Sequence, residues 1–195
     1  IEQMAKVPVE VDIASEFRYR EPVIPAKSLV ITISQSGETA DTLAAIRMAK
    51  ELGATTLSIC NVRSSTIDRE AHGHLYMNSG PEIGVASTKA FTSTLAVLNA
   101  LAIAMGRSRN IMTADQEIEL VKALLAAPSQ MERVLVFDKY FEEAAAKLKQ
   151  FRGFLYMGRG VSFPIAMEGA LKLKELAYMH AEGYAAGEMK HGPLA

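Results

Sequence analysis

One cysteine, Cys60, in 195 residues excludes a disulfide framework and points to a reducing compartment. It lies inside the apolar run Thr56–Cys60 and reads as a small buried hydrophobe. Charge of one sign is also scarce. Lys and Arg number 21 against 22 Asp and Glu, and no basic run reaches five residues, so the sequence has no electrostatic footprint for nucleic acid or an anionic membrane. No apolar stretch approaches the ~20 residues of a bilayer span, and no basic-then-apolar leader opens the chain. A soluble cytoplasmic protein is expected. No Cys, Asp and His spacing resembles a metal site, and neither a metal nor a redox cofactor is expected. Hydrophobic residues make up 49% of the chain, ample material for a core, and the ten Met residues fall at core-like positions. Because the chain starts at Ile1 and stops just after Gly192-Pro193, it reads as cut from something longer.

Strands are expected at Val9–Ala14, Ser28–Ile33, Thr55–Cys60 and His74–Asn78, with helical patterns between most of them. That alternation predicts a parallel α/β sheet. The run Ser28–Ile33 suits a strand covered on both faces. Ser87–Met105 reads as a long apolar helix, and Thr113–Gln150 as amphipathic helices interrupted at Pro128. A strand at Phe154–Met157, the loop Gly158-Arg159-Gly160 and a helix from about Pro164 to Tyr178 then restart the order. Phe163 stands where a dinucleotide fingerprint needs its third glycine, which argues against a nucleotide there.

Ser34-Gln35-Ser36-Gly37-Glu38-Thr39 follows the second expected strand and precedes a helix marked by Leu43, Ile46, Ala49 and Leu52 and stopped by Gly53. A loop at a strand's carboxyl end and a helix N-terminus exposes unpaired N–H groups and the positive end of the helix dipole. Ser34, Ser36 and Thr39 add hydroxyls, Gln35 adds an amide, and Gly37 allows close backbone approach. No P-loop Lys is present, and Glu38 would repel a polyphosphate, so a small monophosphate is the better ligand. The same residues would equally serve as a plain helix cap supported by Asp41.

In the last expected helix, ~100° per residue places Glu168, Lys172 and Glu175 within a ~60° sector between apolar edges. A carboxylate beside an ammonium in a partly desolvated cleft suits proton transfer, with Glu175 as base and Lys172 as charge stabiliser. An ordinary Glu168–Lys172 ladder is the alternative. Glu188 precedes His191 by three residues and can orient its ring, making His191 a candidate acid or base.

SEFRYR (Ser15–Arg20), SQSGETADTL (Ser34–Leu43), EIGVASTKAF (Glu82–Phe91), EGALKLKE (Glu168–Glu175) and AAGEMKHGPLA (Ala185–Ala195) together resemble the isomerase half of the glutamine-fructose-6-phosphate aminotransferases. The resemblance implies sugar isomerase (SIS) domains, each a three-layer αβα parallel sheet of flavodoxin-like order. A first SIS domain would occupy residues 1–126, a helical connector 127–150 and the start of a second domain 151–195. It further implies that Ser34, Gln35, Ser36 and Thr39 bind the phosphate of fructose 6-phosphate or glucosamine 6-phosphate, with Val85 and Ser87 lining the sugar. His191 would open the ring in the neighbouring subunit of a homodimer, and Glu175 would move the C1/C2 proton with help from Lys172. The family's glutaminase domain, the strand and Cys-Gly-Thr-Ser type loop that open the first SIS domain, and the C-terminal Schiff-base Lys have no counterpart in these residues. The missing strand is central in a 2-1-3-4-5 sheet, so poor autonomous folding is expected. A noncatalytic sugar-phosphate sensor and an SIS deglycase or deaminase are the alternatives.

Overall fold

The computed structural model describes residues 1–193, so Leu194 and Ala195 of the final sequence block lie outside the described residues. The chain divides into two compact units, one made of Ile1–Glu82 and Ser87–Ala127, the other of Ile83–Ala86 and the residues from Pro128 onward.

In the first unit β1 (Leu29–Ser34), β2 (Thr55–Cys60) and β3 (Gly73–Tyr76) form a parallel sheet in the order β1-β2-β3. Leu29 stands opposite Thr55, and Leu57 opposite Gly73. Parallel neighbours require crossovers. Helix α3 (Ala40–Glu51) joins β1 to β2, and the short α4 (Thr66–Glu70) joins β2 to β3. Side chains alternate across the sheet, and two successive residues of β2 show the result. Cys60 is wholly buried against Ile46 of α3 and Ile67 of α4. Ile59 points the other way, into a cluster with Ile31, Leu75, Met77, Ala90, Val97 and Leu98. The last three belong to α5 (Lys89–Ser108), which covers that face. Helices on both faces of a parallel sheet give the expected α/β layering.

Four expectations need correction. Val9–Ala14 is not a strand. β1 has no backbone partner along its outer edge among the described residues, so nothing extends the sheet toward that segment. Val9 N–H donates instead to Glu2 Oε1, Ile13 N–H to Asp12 Oδ1, and Val11 is 89% exposed. The reversal of a flavodoxin-like strand order is therefore not formed. Secondly, α5 does have the length and composition of a membrane span; here Ala90, Val97 and Leu98 use its apolar surface to cover the sheet. Thirdly, Pro128 does not interrupt its helix: α6 runs Ala114–Leu135 through it, and the break falls before α7 (Asp138–Leu148). Proline removes one N–H, and the strong helix formers around it carry the rest.

The fourth correction concerns the second unit, where β4 (Gly153–Gly158) and α8 (Ser162–Ala177) occupy the expected places. An additional strand, β5 (His180–Ala185), pairs in parallel with β4, Gly153 opposite His180. Two short helices at the start, α1 (Glu2–Ala5) and α2 (Ala14–Phe17), and a 3₁₀ turn at Ala186–Glu188 complete the elements; α1 packs on α5 and α2 on α3.

Candidate functional site

The loop after β1 is a network of its own hydroxyls and amides. Gly37 N–H donates to Ser34 Oγ at 3.0 Å, Ser34 Oγ lies 3.3 Å from Thr39 Oγ1, and Glu38 N–H donates to Ser36 Oγ at 3.2 Å. Each of the two serine oxygens thus accepts from the backbone, which leaves its own O–H to donate. The first-turn amides of α3, from Ala40 to Thr42, have no intrahelical carbonyl to meet, and with Thr39 as N-cap they open toward the same loop. Asp41 in that turn is tied to Arg18 Nη1 at 2.6 Å, which offsets its charge beside an anion site. Beside the loop, Gln35 lines a cavity of about 400 Å³ with Asn61, Val62, Arg63, Asn78, Gly80 and Pro81.

Sequence reasoning missed what supports this loop. Gly37 has φ +69°, and a Cβ there would sit 1.9 Å from Ser65 Oγ. Ile67 N–H donates to Gly37 O at 3.0 Å, and Asn61 N–H to Gln35 O at 3.2 Å. Glu38 does not face the loop's donors; its Oε1 accepts Thr66 N–H at 2.8 Å, capping α4. The spacing Ser65-x-x-Asp68 has the sequence form of a capping box and could have revealed α4, although Ser65 makes no capping hydrogen bond and Asp68 accepts from Ser64 N–H instead.

That hydrogen bond to Thr66, reinforced by Arg69, holds the Glu38 carboxyl below its ordinary range. A depressed carboxylate contributes stability above its unfolded pKa, ~4.3, and loses it as pH falls through the folded value. Thermal melts from pH 3 to 7 should therefore show Glu38→Gln slightly less stable at neutral pH, with the difference shrinking as pH falls below the unfolded-state value of ~4.3. A constant difference at every pH would sink this assignment.

The second unit assembles the charged triplet on α8. Lys172 Nζ lies 2.5 Å from Glu175 Oε2 and 3.4 Å from Glu168 Oε1. Burial pushes the ammonium down, but the hydrogen bond it donates to Glu175 and the charge of Glu168 outweigh it and hold Lys172 above its ordinary value. The lysine stays a cation clasped by two carboxylates, able to stabilise negative charge next to Glu175. His191 Nδ1 lies 2.8 Å from Glu188 Oε2, which orients an exposed ring. Val85 is 96% exposed in the coil before α5, and Ser87 is half-buried. Glu82 accepts Ala90 N–H at 3.0 Å, anchoring that coil to the start of α5.

The model of the SIS domain family matches residues 1–104 and 147–195. The chain belongs to the SIS domain family. Its whole length is 55% identical over 196 residues to the glutamine–fructose-6-phosphate aminotransferase (isomerizing) of Chlorobaculum tepidum, and 55% identical over 194 residues to that of Bradyrhizobium diazoefficiens. In each case it spans 32% of the relative's length. Among solved structures, the C-terminal domain of glucosamine-fructose-6-phosphate aminotransferase from Francisella tularensis superimposes with a TM-score of 0.98 at 42% identity, over 100% of this chain and 55% of that one. A phosphosugar isomerase described from Clostridium difficile gives 0.80 at 26% identity, over 85% of this chain and 48% of that one. The SIS fold is thus an α/β arrangement with parallel strands, and this chain is similar throughout to an aminotransferase isomerase segment.

Proposed function

We propose that this chain is the isomerase segment of an enzyme that makes glucosamine 6-phosphate from fructose 6-phosphate and glutamine. The observation that carries this reading is the lysine-free loop of hydroxyls and amides at the end of β1, a site for one phosphate rather than a chain of them. Ser34, Gln35, Ser36 and Thr39 hold the phosphate; Val85 and Ser87 line the sugar. His191, oriented by Glu188, transfers a proton to open the ring, acting across a homodimer. Glu175 takes the proton from C1 of the ketose-derived imine and returns it at C2, while Lys172 stabilises the charge that develops between. A glutaminase domain supplies ammonia, and the buried lone thiol of Cys60 suits a reducing cytoplasm. Anchoring the remote phosphate restricts the motion of the reacting carbons, so binding energy serves the chemistry. The contact between Lys172 and Glu175 favours an enzyme over a sensor, which needs the phosphate loop but no proton-transfer base. The divisions 1–126, 127–150 and 151–195 are proposed as a first SIS domain without its opening strand and loop, a helical connector, and the start of a second SIS domain.

Calorimetric titration of the chain with fructose 6-phosphate, beside a Ser36→Ala, Thr39→Ala double variant, tests the loop. Two hydrogen bonds to a charged phosphate at ~1.5 to 3 kcal/mol each predict at least ~100-fold weaker binding in the variant. Equal affinity for both proteins, or no binding by the folded wild type, would overturn the reading.

A further inference from the structure

Asp68 is 4% exposed, a buried carboxylate that the proposed chemistry does not use. Four groups converge on it. Ser58 Oγ of β2 donates to Oδ1 at 3.2 Å, and His74 Nδ1 of β3 lies 3.2 Å from the same oxygen. Ser64 N–H donates to Oδ2 at 2.8 Å and Tyr76 O–H of β3 at 3.1 Å. Burial and the Asp68 hydrogen bond push the Tyr76 phenol up, so it remains a donor. Buried charges persist where hydrogen bonds satisfy them, and here the donors come from two strands and the turn before α4. Asp68 therefore ties α4 to the carboxyl ends of β2 and β3.

The beginning of α4 in turn grips the phosphate loop by three contacts in consecutive residues. Ser65 packs against Gly37 Cα, Thr66 N–H reaches Glu38, and Ile67 N–H reaches Gly37 O. A five-residue helix has little stability of its own, so its position depends on what holds it. We propose that Asp68 is a positioning residue for the phosphate loop, acting through α4 to fix Ser34, Ser36 and Gly37 in their binding geometry. This rests on the proposed phosphate reading. Asp68 itself touches no ligand; its loss lets α4 shift, which releases Gly37 O and Glu38 together.

Two measurements on the 195-residue chain separate the ideas. Fructose 6-phosphate is titrated into wild type, Asp68→Ala, Asp68→Asn and Tyr76→Phe, and amide hydrogen exchange is followed at Thr66 and Ile67, with α5 of the same unit as internal reference. Expected are ~10-fold weaker binding for Asp68→Ala, about 3-fold for Asp68→Asn, which keeps one acceptor oxygen, and a similar small loss for Tyr76→Phe. Exchange at Thr66 and Ile67 should quicken in the same order while α5, in the same unit, stays unchanged, a pattern that general destabilisation of that unit does not produce. Wild-type affinity in a folded Asp68→Ala, or unaltered exchange at Thr66 and Ile67, overturns the proposal. Should Asp68→Ala not fold, Asp68→Asn and Tyr76→Phe decide by the same two readouts. Should wild type itself not bind the sugar phosphate, the phosphate reading falls, and the exchange result alone decides whether Asp68 holds the loop.

Discussion

Gly37→Ala is expected to abolish fructose 6-phosphate binding and to lower the unfolding free energy by ~2 to 4 kcal/mol. Two costs combine. An alanine must adopt φ +69°, and its Cβ would lie 1.9 Å from Ser65 Oγ and 2.5 Å from Ser65 Cβ. Ser65 Oγ can turn away about χ1 but Ser65 Cβ is fixed by the backbone, so either the loop leaves α4 or α4 leaves the sheet. Gly53→Ala is the control, since it shares the left-handed backbone at φ +82° but has no atom within 4 Å of the added methyl. It should show only the strain of the backbone, about 1 kcal/mol, with binding intact. Urea unfolding and calorimetry on the two variants separate crowding from strain. Equal behaviour of Gly37→Ala and Gly53→Ala would show that contact with Ser65 is unimportant.

Glu175→Gln is expected to slow C1/C2 proton transfer by ~10²- to 10⁴-fold in an active enzyme carrying this segment, while fructose 6-phosphate affinity changes by only a few fold. Glutamine preserves the shape and a hydrogen bond partner for Lys172 but cannot accept the proton. Lys172 would still be partnered by Glu168, which lies 3.4 Å away, so the lysine keeps its place. Incorporation of solvent deuterium into the sugar reports the proton transfer directly. Retention of more than a tenth of the wild-type rate would remove Glu175 from the role of base.

Local signals located the loop, α3, β2 and the charged face of α8, because each rests on contacts close in sequence: an apolar run before Ser34, a four-residue period after it, the i,i+4 spacing of Glu168 and Lys172. Where a partner far along the chain decides the conformation, the sequence was silent. Val9–Ala14 has strand composition, but a strand exists only through its neighbour, and here Val9 N–H and Ile13 N–H donate to the side chains of Glu2 and Asp12. The strand β5, His-Ala-Glu-Gly-Tyr-Ala, has little strand propensity and is fixed by pairing with β4. By sequence Glu38 belongs to the loop and would repel a polyphosphate; only the position of Thr66, 28 residues later, ties its carboxylate to α4. The support of the site by Asp68 was illegible for the same reason, since Ser58, His74 and Tyr76 meet it only after the sheet has formed.

Among the described residues the outer edge of β1 is unpaired over Leu-Val-Ile-Thr-Ile-Ser, with Leu29 and Ile33 each 44% exposed. That stretch carries no charge, proline or glycine to discourage a second chain from adding a strand of its own. The strand that leads into Ser34 is thus also a template for self-association. Salt that screens the nearly balanced charges of the chain does nothing to protect such an edge, because the attraction there is between backbone groups.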